Sequence, residues 1–143
     1  MLRSFKGQVP RVEKSAYVDQ SAQVIGDVEI GAESSVWMNV VIRGDVNRIR
    51  IGKRTSIQDL TMVHVMRETH PTVIGDEVTI GHSAVIHGCT IEDRVLVVEG
   101  GRQRQRLLGR VPLEANGVLL DRHRHFGQRG AQRDVLERAG AAA

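Results

Sequence analysis

The stretch VTIGHSAVIHGCTI, residues 78–91, carries the pattern that decides the fold of this chain. An aliphatic residue recurs in it after six positions, at Ile80 and Ile86, with small or polar residues between. The same rhythm runs towards the amino terminus, often with glycine after the aliphatic residue: Ile25-Gly26, Ile30-Gly31, Val36, Ile42, Ile51-Gly52, Ile57, Val63, Ile74-Gly75. A hexapeptide repeat of this kind is typical of a parallel β-helix.

Each hexapeptide is expected to form one flat side of a triangular coil, so that three sides make a turn of about 18 residues. The aliphatic side chain points inward and stacks on its equivalent in the next coil, roughly 4.8 Å away. Small residues often fall four positions later, at Ser34, Thr55, Thr61, Ala84 and Thr90. A core of stacked valine and isoleucine explains why aromatic residues make up only 3% of the chain.

The repeat is interrupted twice. Ile51 follows Ile42 after nine positions instead of six, and Ile74 follows Val63 after eleven. We expect the five extra residues of the second break to bulge out around residues 66–70, either as a functional loop or as a tolerated insertion. A doubly wound α/β domain is excluded, because no amphipathic helical stretch of ten residues occurs before residue 100.

Composition bounds the class of protein. The 143 residues suit one domain, and the net charge of +3 arises mostly after Glu99, where nine arginines lie. The single cysteine, Cys89, excludes an internal disulfide and favours a reducing compartment. No run of 18 apolar residues and no signal-peptide core occur, so a cytoplasmic protein without a membrane segment is predicted.

Two histidines occupy equivalent places in the repeat. His64 follows Val63 and His87 follows Ile86, three sides later, so we expect both imidazoles on one face about one strand spacing apart. That separation suits a shared divalent metal, although a solvated surface histidine is the alternative for each.

A third histidine, His82, follows Gly81 on the preceding side and therefore faces another direction. Three identical β-helices packed side by side would bring His82 of one subunit to His64 and His87 of the next, which predicts a homotrimer with three sites. Three imidazoles and one open position form the ligand set of a catalytic zinc site, and Fe²⁺ or Co²⁺ also accept it.

Charged and amide residues lie near these histidines in the coil count. Arg43, three sides before His64, is expected beneath it, and Asp45 lies within reach of an arginine. We predict an arginine–carboxylate bridge across a subunit boundary, with an exposed ion pair as the alternative. Gln58 and Asp59 lie one side before His64; the Gln58 amide could orient a metal-bound hydroxide, and either residue could instead serve a turn.

These motifs resemble the γ-class carbonic anhydrase family of hexapeptide proteins. The resemblance rests on the run Trp37 to Asp45, on Ile57-Gln58-Asp59, on His64 and on the run Ile80 to Cys89, and it covers about residues 8–97. Hexapeptide acyltransferases share the isoleucine–glycine rhythm but not this histidine trio together with Arg43-Gly44-Asp45.

The resemblance implies a left-handed β-helix and a homotrimer with zinc or iron between subunits. It also implies reversible hydration of CO₂ to bicarbonate by a metal-bound hydroxide at the trimer interface. The site residues then match in these roles: His64 and His87 as metal ligands from one subunit and His82 from the next, Arg43 and Asp45 as interface support, Gln58 and Asp59 as the catalytic polar pair.

Two positions depart from the family pattern. Met38 stands where proline is common, and Val46 stands where some members carry a glutamate that transfers protons. Hydratase activity is therefore expected to be weak or lost in this chain. The alternatives are a hexapeptide acyltransferase, which uses a catalytic histidine without a metal, and a non-catalytic scaffold of the same fold.

The repeat ends near Val97. We predict a left-handed β-helix domain over residues 1–97 and a basic, non-repeat tail over residues 98–143, aberrant or disordered. No isoleucine follows Ile91 and no lysine follows Lys53, a composition typical of a GC-rich gene read in the wrong frame. We hypothesise a frameshift near codon 98; the alternative is a divergent basic tail that binds nucleic acid, which the lack of interleaved aromatic residues supports only weakly.

Overall fold

The computed structural model describes residues 1–98, 106–108 and 119–120. Every helix or strand assigned in these residues is a β-strand, and together they form the predicted left-handed parallel β-helix. The strands are β1 Leu2–Arg3, β2 Arg11–Val12, β3 Tyr17–Val18, β4 Gln23–Ile30, β5 Ser35–Val36, β6 Val41–Ile51, β7 Ser56–Ile57, β8 Met62–His64, β9 Thr72–Ile74, β10 Thr79–Ile80, β11 Val85–His87, β12 Thr90–Ile91, β13 Leu96–Val98, β14 Arg106–Leu108 and β15 Leu119–Leu120.

The coils stack into a prism with three walls. Wall 1 contains β1, the first halves of β4 and β6, β8 and β11. Wall 2 contains β2, the second halves of β4 and β6, β9 and β12, and wall 3 contains β3, β5, β7, β10 and β13. The chain passes from wall 1 to wall 2 at the first corner, on to wall 3 at the second, and back to wall 1 at the third.

All strand pairs from β1 to β13 are parallel, whereas β13 and β14 pair antiparallel. Among the described residues the parallel stacking of coils therefore extends to β13, close to the predicted end of the repeat. The rest of the predicted tail lies outside the described residues.

The core is the column of aliphatic side chains that the repeat predicts. On wall 1, Val24 pairs with Ile42, Ile42 with Val63, and Val63 with Ile86, and all four side chains are buried. The residue numbers step by 18, then 21, then 23, so the two interruptions add three and five residues without disturbing the ladder.

One residue was placed in the wrong phase. Ile25 was expected to point inward, but the structure buries Val24 and leaves Ile25 half-buried, paired with Arg43 on the outer face of wall 1. Side chains alternate along a strand, so only one of the two neighbours can point inward. Counting back six residues from Ile30 gives Val24, and Ile25 was preferred only because glycine follows it.

Both extra segments leave the prism at the first corner, where they contact each other. The Nδ2 of Asn47 donates to the carbonyl of Met66 at 3.1 Å, and the Met66 amide donates to the carbonyl of His70 at 3.0 Å. The predicted bulge of residues 66–70 is therefore a loop closed on itself and tied to the segment below.

Buried hydroxyls clamp the other two corners. Thr55 Oγ1 donates to the carbonyl of Gly75 at 2.8 Å in the coil above and accepts from the amide of Val78 at 3.1 Å. Thr61 repeats the arrangement at the third corner, with the carbonyl of Gly81 and the amide of Ala84. Buried backbone groups need such partners, which explains the small polar residues of the repeat.

Thr90 also stands at the small-residue position of the repeat, but unlike Ser34, Thr55, Thr61 and Ala84 it is exposed. Ile91 follows Ile86 after five positions, so Cys89 takes the buried place instead. The described part of the chain contains no helix with the length and hydropathy that crossing a membrane would require.

Candidate metal centre

The two histidines of the repeat lie on the outer face of wall 1, one coil apart. His87 pairs with His64 in the ladder between β11 and β8, and the ring centroids are 5.1 Å apart with planes inclined at 60°. Val63 and Ile86, the residues before them, are buried, so alternation along each strand turns both imidazoles outward. The coil count from the sequence is confirmed for this pair.

Asp45 lies next to the histidine pair, at the start of the first corner. Its Oδ1 lies 2.9 Å from Nε2 of His64, and its Oδ2 lies 2.5 Å from a guanidinium nitrogen of Arg43 in the same chain. A carboxylate only accepts hydrogen bonds, so the contact requires His64 to carry a proton on Nε2. Arg43 and Asp45 therefore pair with each other within one chain, and Asp45 also orients His64. The bridge across a subunit boundary stays a prediction.

The surroundings of Asp45 shift its ionisation. Burial of the carboxyl opposes ionisation, but the hydrogen bond from His64 and the charge of Arg43 together outweigh it, and the pKa of Asp45 lies below its ordinary value. The ionised form is therefore favoured in the folded chain more than in the unfolded chain.

Replacing Asp45 by asparagine tests this shift. Because the folded pKa is lowered, the carboxylate stabilises the fold above its unfolded pKa of about 3.9, and this contribution disappears as the pH falls through the folded pKa. We expect Asp45→Asn to cost about 1 kcal/mol at pH 7, and the cost to decrease progressively as the pH falls below about 3.9. Urea unfolding with a chelator present measures the cost across this range, and a cost that does not change with pH would contradict the assignment.

The third histidine lies at a different place, the third corner, where wall 3 ends. The side chain of His82 is 47% exposed, and its Nδ1 lies 2.7 Å from Oδ2 of Asp59 in the coil below. The carboxylate again requires a proton on Nδ1, so in the neutral imidazole Nε2 keeps its lone pair. Asp59 thus fixes the tautomer of His82, an arrangement common for metal-binding histidines.

Gln58 lies beside Asp59 on the outer face of wall 3. Its Nε2 donates to Oγ of Ser56 at 2.7 Å, and that hydroxyl lies 3.2 Å from Oγ of Ser35. The indole nitrogen of Trp37 donates to Ser35 at 3.1 Å and closes the row. The amide is therefore held by a short hydrogen-bonded chain along the wall.

No three potential metal ligands from histidine, cysteine, aspartate or glutamate converge within the described residues of a single chain. His64 and His87 share a wall, whereas His82 projects from the corner that follows another wall. The geometry thus agrees with the prediction that His82 cannot readily join the other two inside one chain.

Exposed apolar side chains lie beside the His64–His87 pair on wall 1 and beside His82 at the third corner. Met62 and Val85 are exposed on wall 1 and pair with each other in the ladder, two residues before His64 and His87. Leu60 is 61% exposed beside Asp59 at the third corner, and Met38 is exposed in the coil below it.

Sequence reasoning missed one residue that touches the histidine strands. Thr72, the first residue of β9, donates through Oγ1 to the carbonyl of His64 and accepts from the amide of Gly88. The residue follows the irregular loop, where the repeat has no phase, so no pattern in the sequence indicates that it returns to His64.

Comparison with known proteins finds relatives that are named carbonic anhydrases. "Gamma carbonic anhydrase 2, mitochondrial" of Arabidopsis thaliana is 55% identical over 119 residues, which cover 80% of this chain and 39% of that protein. "Probable carbonic anhydrase" of Methanocaldococcus jannaschii is 55% identical over 86 residues, which cover 60% of this chain and 54% of that protein. The chain therefore spans about half of these curated relatives or less.

A solved structure matches over nearly the whole length. The crystal structure of a hexapeptide transferase family protein from Anaplasma phagocytophilum has a TM-score of 0.62 and 32% sequence identity, covering 99% of this chain and 92% of that one. No protein-family model matches the chain. On its repeat, its fold and these relatives, the chain belongs to the γ-class carbonic anhydrase family of hexapeptide-repeat β-helix proteins.

Proposed function

We propose that this chain is a metal-dependent, γ-carbonic anhydrase-like protein that interconverts CO₂ and bicarbonate at sites between the subunits of a homotrimer. The proposal rests foremost on one observation: His64 and His87 are stacked in register on wall 1, while His82 stands apart at the third corner. The names of the relatives support CO₂ as the substrate. We propose a cytoplasmic location, because a single unpaired cysteine, Cys89, is typical of proteins in a reducing compartment.

The available nitrogen atoms fit a divalent metal such as Zn²⁺, with Fe²⁺ and Co²⁺ as acceptable substitutes. Asp59 leaves Nε2 of His82 free of a proton. Asp45 occupies Nε2 of His64, so a metal would use Nδ1 of that ring or displace Asp45 from Nε2. His87 completes the set of three imidazoles, which is the ligand set of catalytic zinc sites.

A bound divalent metal would supply one property, the lowering of the pKa of a coordinated water molecule towards 7. The protein's own residues would do the rest. Gln58, fixed by Ser56, can offer its amide oxygen as an acceptor and so orient a nearby water molecule. Asp59 would keep the proton of the His82 imidazole on Nδ1, so that Nε2 can bind the metal.

Proton release to solvent is the step with the least support in this chain. Val46 packs against the core at the position where some family members carry an acid, so no carboxylate is available there. External buffer must then take up the proton, and we expect turnover to rise with buffer concentration.

The exposed apolar residues support the trimer. Met62 and Val85 border the histidine pair, and Leu60 and Met38 border His82. Contact between wall 1 of one subunit and the third corner of the next would cover both sets at once. Exposed apolar groups beside polar site residues are typical of subunit interfaces.

The direct test is the metal content of protein purified without air, together with its mass in solution and its rate of CO₂ hydration by stopped flow. We expect about one Zn or Fe per chain, a trimeric mass and a slow, buffer-dependent rate that a chelator abolishes. A monomer without metal would overturn the proposal. A metal-containing trimer without hydration would leave the scaffold alternative, and a metal-free trimer that binds acetyl coenzyme A would favour the acyltransferase.

A further inference from the structure

Thr72 joins the backbone at the ends of both histidine-bearing strands. The side chain is fully buried, and its Oγ1 donates to the carbonyl of His64 at 2.5 Å. The same oxygen accepts from the amide of Gly88, the residue after His87, at 3.0 Å. The Gly88 amide also donates to the carbonyl of His64 at 3.2 Å. The Thr72 hydroxyl, the His64 carbonyl and the Gly88 amide therefore meet at one point.

This junction lies where the ladder of wall 1 ends. Beyond His64 and His87 the two coils diverge, because eight residues run from His64 to Thr72 while Gly88 leads directly to wall 2. The hydroxyl therefore reinforces the last backbone bond of the ladder, from Gly88 to His64, and fixes the distance between the strand ends. A change in that distance would be transmitted to the two imidazoles, since each projects from the last residue of its strand.

We propose that Thr72 is a positioning residue for the histidine pair, which sets the separation of the His64 and His87 imidazoles for a shared divalent cation. The inference rests on the proposed function. It assigns to Thr72 the role of setting the separation of the two imidazoles, although Thr72 touches neither the cation nor the substrate.

The chain offers a matched control for this role. Thr55 is equally buried and makes the same two bonds, to the carbonyl of Gly75 and from the amide of Val78. Its clamp lies at the second corner, away from the three histidines. Thr55→Val and Thr72→Val therefore remove the same chemistry, a buried hydroxyl with two hydrogen bonds, and only one of them does so beside His64.

The experiment compares Thr72→Val, Thr72→Ser and Thr55→Val with the wild type as full-length protein. Zn²⁺ affinity is measured by competition with a chromogenic chelator well below the unfolding temperature, and solution mass is checked for each variant. The visible spectrum of the Co²⁺-loaded protein reports the ligand geometry. Thermal unfolding of the metal-free proteins shows whether the two valine variants lose comparable stability.

We expect Thr72→Val to weaken Zn²⁺ binding about tenfold or more, within the range for residues that orient metal ligands, and to alter the Co²⁺ spectrum. Thr72→Ser should restore both, and Thr55→Val should leave both unchanged. Equal affinities for Thr72→Val and Thr55→Val would overturn the inference while leaving the proposed function intact. A wild-type protein that binds no Zn²⁺ would instead overturn the proposed function, and this inference with it.

Discussion

Co-expression of His82→Ala with His87→Ala subunits is expected to restore metal binding that neither variant shows alone. A trimer of either variant lacks one ligand at every site, and we expect each to retain less than about a tenth of the wild-type metal. In a trimer that contains both, a site is complete wherever a His87→Ala subunit supplies His82 to a His82→Ala neighbour that supplies His64 and His87. Random assembly from equal amounts gives about a quarter of the wild-type content.

The measurement is metal per chain, by mass spectrometry, after dialysis of the co-expressed trimers. The control mixes the two variants after purification under conditions in which subunits do not exchange, and it should recover nothing. Recovery in the co-expressed sample requires a site shared between subunits. If mixed trimers stay as empty as the separate variants, His82 does not meet the histidine pair of a neighbour.

Replacing Gly52 by alanine is expected to destabilise the β-helix severely. A methyl group on Gly52 would lie 2.6 Å from the carbonyl carbon and oxygen of Gly75 in the next coil, and closer still to a carboxylate oxygen of Asp76. The obstacle is mainly backbone, which can give way only if two coils separate. We expect a loss of about 3 kcal/mol or more, a large part of the stability of a domain this size.

Chemical denaturation followed by far-ultraviolet circular dichroism measures the loss. Gly7→Ala is the control, because a methyl group there meets nothing within 4 Å and bears only the cost of a φ of +79°. We expect that control to cost about 1 kcal/mol. Similar losses for the two variants would mean that the coils can separate at little cost, contrary to the close stacking described.

The fold was largely predictable because one periodic signal specifies it. A six-residue period determines the wall and the inward position of each aliphatic residue, and the breaks could be counted as additions at a corner. The error at Ile25 arose because the glycine that follows it was given more weight than the period, which counted back six residues from Ile30 gives the buried neighbour Val24. The pairing of Val24 with Ile42 confirms that count.

Part of the site was also predictable. The coil count placed His64 and His87 together, since both occupy the same position in the repeat. The bond between Asp59 and His82 and the one between Thr72 and His64 were not anticipated. The first depends on a side-chain rotamer at a corner, and the second on the path of a loop without periodicity, and neither leaves a regular trace in the sequence.

Corner residues were equally hard to anticipate. Leu60 and Ser83 adopt left-handed backbone angles at the third corner, with φ of 61° and 55°, without being glycine. Such angles cost energy for side-chain-bearing residues, and here the stacked hydrogen bonds of neighbouring coils hold them. A local propensity argument would have placed glycine or asparagine at these positions.

The two segments that leave the prism at the first corner have a practical consequence. Because Val63 still pairs with Ile86 despite the extra residues between them, the length of that excursion is uncoupled from the alignment of the walls. Foreign peptides could therefore be grafted between Met66 and His70 on the existing base, where the Met66 amide already bonds the His70 carbonyl. The protein would then serve as a rigid display scaffold with a loop of adjustable size.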